Sequence, residues 1–293
     1  MTEKLTPEAH AESLVEALPY IQKFRGCTFV IKYGGAAMEE EHIVDRFLRD
    51  IVFLEAVGIN PVLVHGGGKA ITAKMKAEGL PARFVNGLRV TDARTIEIVA
   101  GTLDGEINPK IVDTIERFGG RALGVSGSSV FVARRLPPQR TETGEDLDIG
   151  FVGEAASMNA EKVREAILQE IVPVISPIGA ERDGTILNIN ADVAAAALAA
   201  DLKATKLIFV SDVSGIMRDP GAPESLIPTV SVSQVESLIT QRVISGGMIP
   251  KVQSAAAALG QGVGKVHLIG GQTPHGLLLE IFTNAGIGTE ITG

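Results

Sequence analysis

Two lysines in this chain stand beside glycine turns, at positions where a cation needs a reason. Lys32 closes the otherwise apolar run Cys27–Lys32 and is followed by Tyr33-Gly34-Gly35. A lysine at a strand end can snorkel into water, but this one points toward the turn. Lys251 ends the stretch Ser245-Gly246-Gly247-Met248-Ile249-Pro250-Lys251, in which the proline marks a helix start. The helix dipole disfavours an ammonium there, and a bound anion would remove the conflict. Asn188, Asn190 and Asp192 alternate at the head of an alanine-rich segment. Capping accounts for one such residue, not three. Arg89, in Gly87-Leu88-Arg89-Val90-Thr91, is a candidate fork for a carboxylate. Gly66-Gly67-Gly68 follows His65 at the end of a second apolar run. This triplet is either an anion cradle or simply a tight turn, and His65 reads more readily as a structural histidine than as a base.

Taken together these are two lysines, an arginine, glycine amides and an aspartate, with no evident general base. A hydroxyl nucleophile benefits from a base, whereas a carboxylate is already ionised at neutral pH. Phosphoryl transfer to a carboxylate needs chiefly positioning and charge neutralisation, which lysines and Mg²⁺ supply. Other phosphate and hydrolase signatures are missing. Gly264-Lys265 is followed by Val266, so there is no P-loop, and no G-x-G-x-x-G follows a strand. H-E-x-x-H, C-x-x-C and G-x-S-x-G are also lacking.

The whole chain bounds the reading further. Its 293 residues predict one large domain or two closely joined ones. Lys+Arg 27 against Asp+Glu 35 gives a formal net charge of −8, the wrong balance for a nucleic-acid binder. Aromatics at 4% disfavour base stacking or an aromatic sugar site. The lone Cys27 reads as a small core hydrophobe in a reducing compartment. The first residues lack a signal-peptide pattern and the apolar run at 193–200 is too short for a bilayer, so a cytoplasmic protein without membrane contact is expected.

The elements that must position these residues alternate. A helix is expected over 7–24, a strand over Cys27–Lys32, a helix over 39–57, a strand over Asn60–His65 and a helix over 69–78. Residues 82–90 read as an extended pair turned by Asn86-Gly87. Helices near 92–103 and 107–118 precede strands near 121–125 and 129–134, and Pro137–Gly150 reads as a surface hairpin or loop. Then come helix 159–169, strand Ile171–Ser176, helix 190–202 and strand Lys206–Ser211. Helices near 231–241, 249–261 and 274–281 flank a strand at Lys265–Ile269, and Gly286–Ile291 closes the series. Apolar strand, glycine turn and helix in succession predict an α/β fold with a mostly parallel sheet, in two lobes divided near residue 180. Both glycine turns then fall at the carboxyl edge, where such sheets bind ligands.

In these segments the chain resembles the amino acid kinase family, and within it the branch that phosphorylates N-acetylglutamate. The segments are Ile31-Lys32-Tyr33-Gly34-Gly35, Val64-His65-Gly66-Gly67-Gly68, Asn86-Gly87-Leu88-Arg89-Val90-Thr91, Leu187-Asn188-Ile189-Asn190-Ala191-Asp192, Ser211-Asp212-Val213-Ser214-Gly215 and Gly246-Gly247-Met248-Ile249-Pro250-Lys251. They cover nearly the whole chain in family order. The resemblance implies a three-layer α/β/α sandwich around a mainly parallel sheet. It implies transfer of the ATP γ-phosphoryl group to the side-chain carboxylate of N-acetyl-L-glutamate, an early step of arginine biosynthesis. Lys32 and Lys251 would neutralise the migrating group, with Asp192 holding both. Gly67, Gly68, Arg89 and Asn188 would bind the acceptor. Gly34, Gly35, Ser211, Asp212, Gly215 and Met248 would bind ATP, with Mg²⁺ held mainly by phosphates and by no protein metal site. Residues 1–25 would be an oligomerisation helix, 26–180 the acetylglutamate lobe and 181–293 the ATP lobe.

The resemblance also implies feedback inhibition by L-arginine, with His267 and Glu280 near the effector, and a homo-oligomer, a hexamer built as a trimer of dimers. Glu280 would meet a guanidinium directly, or else be a solvated helix-end carboxylate. A PII-type regulator is a possible partner. The chain departs from the family at Lys69, where proline is common, at Asn108-Pro109-Lys110 and at Gly270-Gly271-Gln272, where Asp-Gly-Arg is usual. The rivals are a kinase for another acylated or free amino acid, such as an aminoadipate derivative, and a silent member that senses arginine or nucleotide.

Overall fold

Eight strands, numbered β1–β8 in chain order, build the central sheet: Thr28–Tyr33 (β1), Asn60–His65 (β2), Ala122–Val125 (β3), Val172–Ile175 (β4), Lys206–Ser211 (β5), Thr229–Ser231 (β6), Lys265–Gly270 (β7) and Thr289–Thr292 (β8). Their order is β6-β8-β7-β5-β1-β2-β4-β3. Neighbours from β7 through to β3 run parallel, and the β7–β8 pair is antiparallel. The computed structural model describes residues 6–38, 40–141, 143–219 and 221–293.

Alternation along the strands feeds two cores, one on each face. In β1, Val30 joins one apolar cluster while Phe29, Ile31 and Tyr33 join the other. In β5, Leu207 and Phe209 face the first cluster, Ile208 and Val210 the second. Helices Ala191–Asp201, Val232–Thr240 and Met248–Gly260 cover the first face. Helices Glu41–Ala56, Asn108–Arg117 and Gly276–Phe282 cover the second. The fold is therefore the three-layer α/β/α sandwich around a mainly parallel sheet. Among the described residues no helix is long and apolar enough to cross a membrane. Cys27 is half-buried against the second core.

The predicted extended pair is a two-residue hairpin, with Phe84 opposite Arg89. Asn86 and Gly87 take positive φ values of 51° and 78°, as a tight primed turn requires. The helices expected as separate units near 92–103 and 107–118 run into one another, because a wide π-type turn at Leu103–Ile107 joins Ala93–Thr102 to Asn108–Arg117. Four strands form a small closed barrel beside the main sheet: Phe131–Arg135, Val152–Met158, Ile178–Ala180 and Ile186–Ile189. Only the first is in the expected list. Val152–Met158 contains Gly153, Glu154, Ala155, Ala156 and Ser157, too small and polar to show an alternating signal.

Candidate active site

β1 lies at the centre of the sheet with β2 on one side and β5 on the other, so chain order reverses here and a crevice opens at the carboxyl edge. Lys32 is the penultimate residue of β1 and shares the face of Val30, opposite Tyr33, which stacks on Phe47 with ring centroids 4.0 Å apart. Two helix N-termini meet it on that face. The helix Ala191–Asp201 is capped by Asn190, whose Oδ1 accepts the amides of Asp192 at 2.9 Å and Val193 at 3.3 Å. Of the three alternating polar residues, then, Asn190 is the cap. Asp192 and Asn188 are left for the crevice.

Asp192 bridges the two lysines. Its Oδ2 accepts from Lys251 Nζ at 2.7 Å, and Lys32 Nζ lies 3.0 Å from its Oδ1. Lys251 stands in the first turn of Met248–Gly260, and its ammonium also lies 5.2 Å from the centroid of the Phe209 ring. Side-chain exposures of 12%, 15% and 9% for Lys32, Asp192 and Lys251 leave the three at the cavity wall but shield them from bulk water. Burial alone would raise the Asp192 carboxyl, yet the two ammonium groups outweigh it and hold it below the ordinary carboxylate range. Burial pulls the Lys251 ammonium down, with Asp192 opposing. One carboxylate thus aligns two cations, and the Asp212 carboxylate also favours the charged form of Lys251.

The glycine turns are shaped for an anion. A Cβ on Gly34 would stand 2.7 Å from Lys32 Nζ, and one on Gly35, at φ 71°, would strike the Asp212 carboxylate. The positive φ of Gly35 favours glycine, and the backbone of the turn lies against the Lys32 ammonium at Gly34 and the Asp212 carboxylate at Gly35. This is a fit for phosphate groups. Ser211 ends β5, next to β1, and Asp212 follows it against Gly35. Met248 begins the helix that carries Lys251 and packs on the first core. Gly215 stands apart: at φ 152° it lies against Leu226 and Thr289, a close approach of chain to chain at β8. Among the described residues no three His, Cys, Asp or Glu side chains gather as metal ligands.

A cleft of about 210 Å³ adjoins the cradle, lined by Lys32, Gly67, Gly68, Arg89, Asn188 and Asp192 among others. Gly67 backs onto Leu103 and Ile107, and Gly68 opens the helix Gly68–Ala77. Arg89 is 6% exposed; its guanidinium donates to Gly68 O at 2.9 Å and Thr72 Oγ1 at 2.8 Å and lies over the Phe84 ring. Burial lowers its pKa, and among the described residues no carboxylate lies within 4 Å of it. A buried cation without an anion suits an acidic ligand. His65 is fully buried: Nδ1–H donates to Gly66 O at 2.9 Å, Nε2 accepts from Asn108, and burial pushes its pKa down to about 4. It is neutral and holds the glycine turn.

His267 and Glu280 belong to a different place. Lys206, which opens β5, donates to His267 Nε2 at 2.7 Å, and His267 Nδ1–H donates to Glu280 Oε1 at 2.6 Å. Glu280 Oε2 accepts the amides of Ile287 and Gly288. Glu280 is 8% exposed, so the solvated helix-end carboxylate expected as one alternative is not what is found: the helix turns it inward. Burial opposes its charge, but His267 and the two amides lower its pKa overall. The sequence reading missed Lys206; its position, opening an apolar strand beside Lys265, was the available signal.

Residues 28–270 match the model of the amino acid kinase family. An acetylglutamate kinase of Akkermansia muciniphila is 51% identical over 283 residues, 96% of this chain and 95% of that one. An acetylglutamate kinase of Methanocaldococcus jannaschii is 48% identical over 287 residues, 96% of both chains. Among solved structures, an N-acetylglutamate synthase from Neisseria gonorrhoeae superposes with a TM-score of 0.84 at 28% identity, covering 97% of this chain, which spans 63% of the synthase. Carbamate kinase from Giardia lamblia shares the fold at a TM-score of 0.63 and 18% identity, covering 91% of this chain and 98% of that one. With a cradle for phosphate beside a cationic cleft, and about half of its residues shared with these kinases over nearly their whole length, the chain belongs to the amino acid kinase family and, within it, to the acetylglutamate kinases.

Proposed function

We propose that the protein transfers the γ-phosphoryl group of ATP to the side-chain carboxylate of N-acetyl-L-glutamate, releasing ADP and N-acetyl-L-glutamyl 5-phosphate in arginine biosynthesis. The observation that carries this reading is the Lys32–Asp192–Lys251 triad, held at the wall of a cleft that also contains the unneutralised Arg89. A carboxylate oxygen of the acceptor attacks the γ-phosphorus. The bond to the β–γ bridging oxygen breaks, and its electron pair leaves with ADP. No proton moves, which suits a site without a general base. Lys32 and Lys251 neutralise charge on the migrating group, and Asp192 keeps them apart and aimed. Arg89 clamps the α-carboxylate, Asn188 hydrogen-bonds the acylated amino acid, and Gly67 and Gly68 line its pocket. Gly34, Gly35, Ser211, Asp212 and Met248 receive the nucleotide. Gly215 shapes the turn behind them. Mg²⁺, held mainly by the phosphates, would add further charge neutralisation.

Residues 26–180 would then serve the acceptor and 181–293 the nucleotide, in the cytoplasm. The helix Pro7–Phe24 exposes Leu14, Val15 and Leu18, which supports its reading as an oligomerisation element in a hexamer, a trimer of dimers. It ends beside the second cluster, where Lys206 Nζ lies 5.3 Å from the Phe24 ring centroid. Feedback inhibition by L-arginine at His267 and Glu280 belongs to the same proposal, as does a PII-type partner of the hexamer. An N-acetylglutamate synthase from Neisseria gonorrhoeae has been solved with L-arginine, at a TM-score of 0.79, 27% identity and 96% coverage of this chain, which spans 65% of that one.

The test is ADP release with Mg-ATP across N-acetylglutamate, glutamate, aspartate and N-acetylaminoadipate, with and without arginine. Turnover confined to N-acetylglutamate is expected, suppressed by arginine. Turnover only with another acceptor would move the assignment to a related carboxylate kinase. No turnover with any of them would favour the silent sensor. Activity indifferent to arginine would retire the regulatory part alone.

A further inference from the structure

Arg89 and Asn188 lie 99 positions apart, yet both wall the acceptor cleft. One side chain touches both residues. Thr91 is fully buried, and its Oγ1 donates to Arg89 O at 2.8 Å. The same oxygen receives Asn188 Nδ2 at 3.3 Å. A threonine hydroxyl carries one hydrogen, and this one is spent on Arg89 O, so toward Asn188 it only accepts. That fixes the amide: Nδ2 must face Thr91, leaving Oδ1 and the second N–H for a ligand.

We infer that Thr91 is a positioning residue for the acceptor, coupling the Arg89 clamp to Asn188 through one hydroxyl. This rests on the reading of Arg89 and Asn188 as acceptor ligands. The backbone around Thr91 is secured without the hydroxyl. Thr91 N donates to Ile149 O at 2.9 Å, Phe151 N donates to Thr91 O at 2.6 Å, and Asn188 N donates to Phe151 O at 2.9 Å. Three remote segments are thus already laced together. What the hydroxyl adds is the orientation of the Asn188 amide and the seat of the Arg89 carbonyl. Valine keeps nearly the same shape but removes the hydroxyl, leaving Arg89 O and one Asn188 N–H without this partner.

The experiment compares kcat, both KM values and Tm for Thr91→Val, Thr91→Ser, Asn188→Ala, the Thr91→Val/Asn188→Ala double variant and Arg89→Lys. Thr91→Val is expected to raise KM for N-acetylglutamate roughly 5- to 10-fold, as loss of one hydrogen bond does. KM for ATP should stay near wild type, Tm should fall modestly because Arg89 O and one Asn188 N–H lose their buried partner, and Thr91→Ser should restore KM to within about 2-fold. The double variant should fall short of the product of the two single effects, because both remove the same Thr91–Asn188 hydrogen bond. If Arg89→Lys raises KM while Thr91→Val does not, the coupling is wrong and the acceptor site stands. If Arg89→Lys leaves KM unchanged, the acceptor-site reading itself fails. Should the valine variant not fold, Thr91→Cys keeps the volume with a weak donor, and a wild-type KM there overturns the inference.

Discussion

Lysine meets carboxylate at two buried places on the same sheet, and the two are finished differently. At the carboxyl edge, Asp192 stands between Lys32 and Lys251, with the Asp212 carboxylate also acting on Lys251. At the other end of the strands, Lys206, His267 and Glu280 form a chain closed by the amides of Ile287 and Gly288. The first cluster lines a cleft. The second uses both Glu280 oxygens on its own polypeptide. Charges at a cleft wall can still meet an incoming group, whereas a satisfied buried network stabilises the fold in the absence of any ligand. The difference separates a cluster open toward a cleft from one closed on its own chain.

Substitutions at the two places should therefore show up in different measurements. Lys251→Ala should cut kcat roughly 10²-fold or more with Tm little changed, read by coupled ADP release. Near-normal turnover would erase the distinction between the clusters. Arg89→Lys should raise KM for N-acetylglutamate about 10-fold, because an ammonium replaces a planar fork while the net charge is kept. An equal rise in KM for ATP would place Arg89 outside the acceptor pocket. Glu280→Gln should instead leave kcat without arginine within about 2-fold and cost roughly 1.5–3 kcal/mol of stability, the worth of hydrogen bonds to a charged group. A shifted Tm in thermal unfolding would show it; a collapse of kcat at unchanged Tm would make the closed network part of the catalytic machinery.

The smallest effect is in pH. His65 titrates at about 4 in the folded protein, below its value of 6.5 when unfolded. Between those limits the unfolded chain binds the extra proton, so His65 contributes stability that rises with pH through this window and is lost as pH falls from 6.5 toward 4, while Asp50, raised by burial to about 6 in the fold, contributes the opposite slope below that value. In the upper part of that window the depressed carboxyls of Asp192 and Glu280 still add little, because their unfolded values lie below it. His65→Asn should lower the slope of stability against pH by up to one proton in denaturant titrations between pH 6.5 and 5, leaving the opposing contribution of Asp50 in place. An unchanged slope would mean that His65 takes up no extra proton on unfolding.

Much of this was legible from residues alone, for identifiable reasons. Lys32 and Lys251 were visible because each broke a local preference, one ending an apolar strand and one sitting at a helix N-terminus. Asn188, Asn190 and Asp192 were visible as two polar residues too many for a cap. Three of the four barrel strands were not; Val152–Met158, for one, is built largely of glycine, alanine and serine, where no hydrophobic period exists. The inward turn of Glu280 was hidden as well. It depends on His267, thirteen positions away, and on a loop that supplies two amides. Thr91 was readable as part of a motif, but its link to Asn188 spans 97 positions that only the folded chain brings together.

The central place of β1 also has a consequence for how the molecule is made. β1 pairs with β2 soon after it is synthesised, but its other edge waits for β5, where Phe29 meets Lys206. At about 5–20 residues per second, a ribosome needs on the order of ten seconds or more to deliver that partner. Throughout that interval one edge of an apolar strand has no mate, the situation in which nascent chains pair with the wrong neighbour. Lys251 emerges later still. The Lys32–Asp192–Lys251 cluster is therefore completed only after most of the chain has left the ribosome, with the strand made first held waiting longest for its second partner.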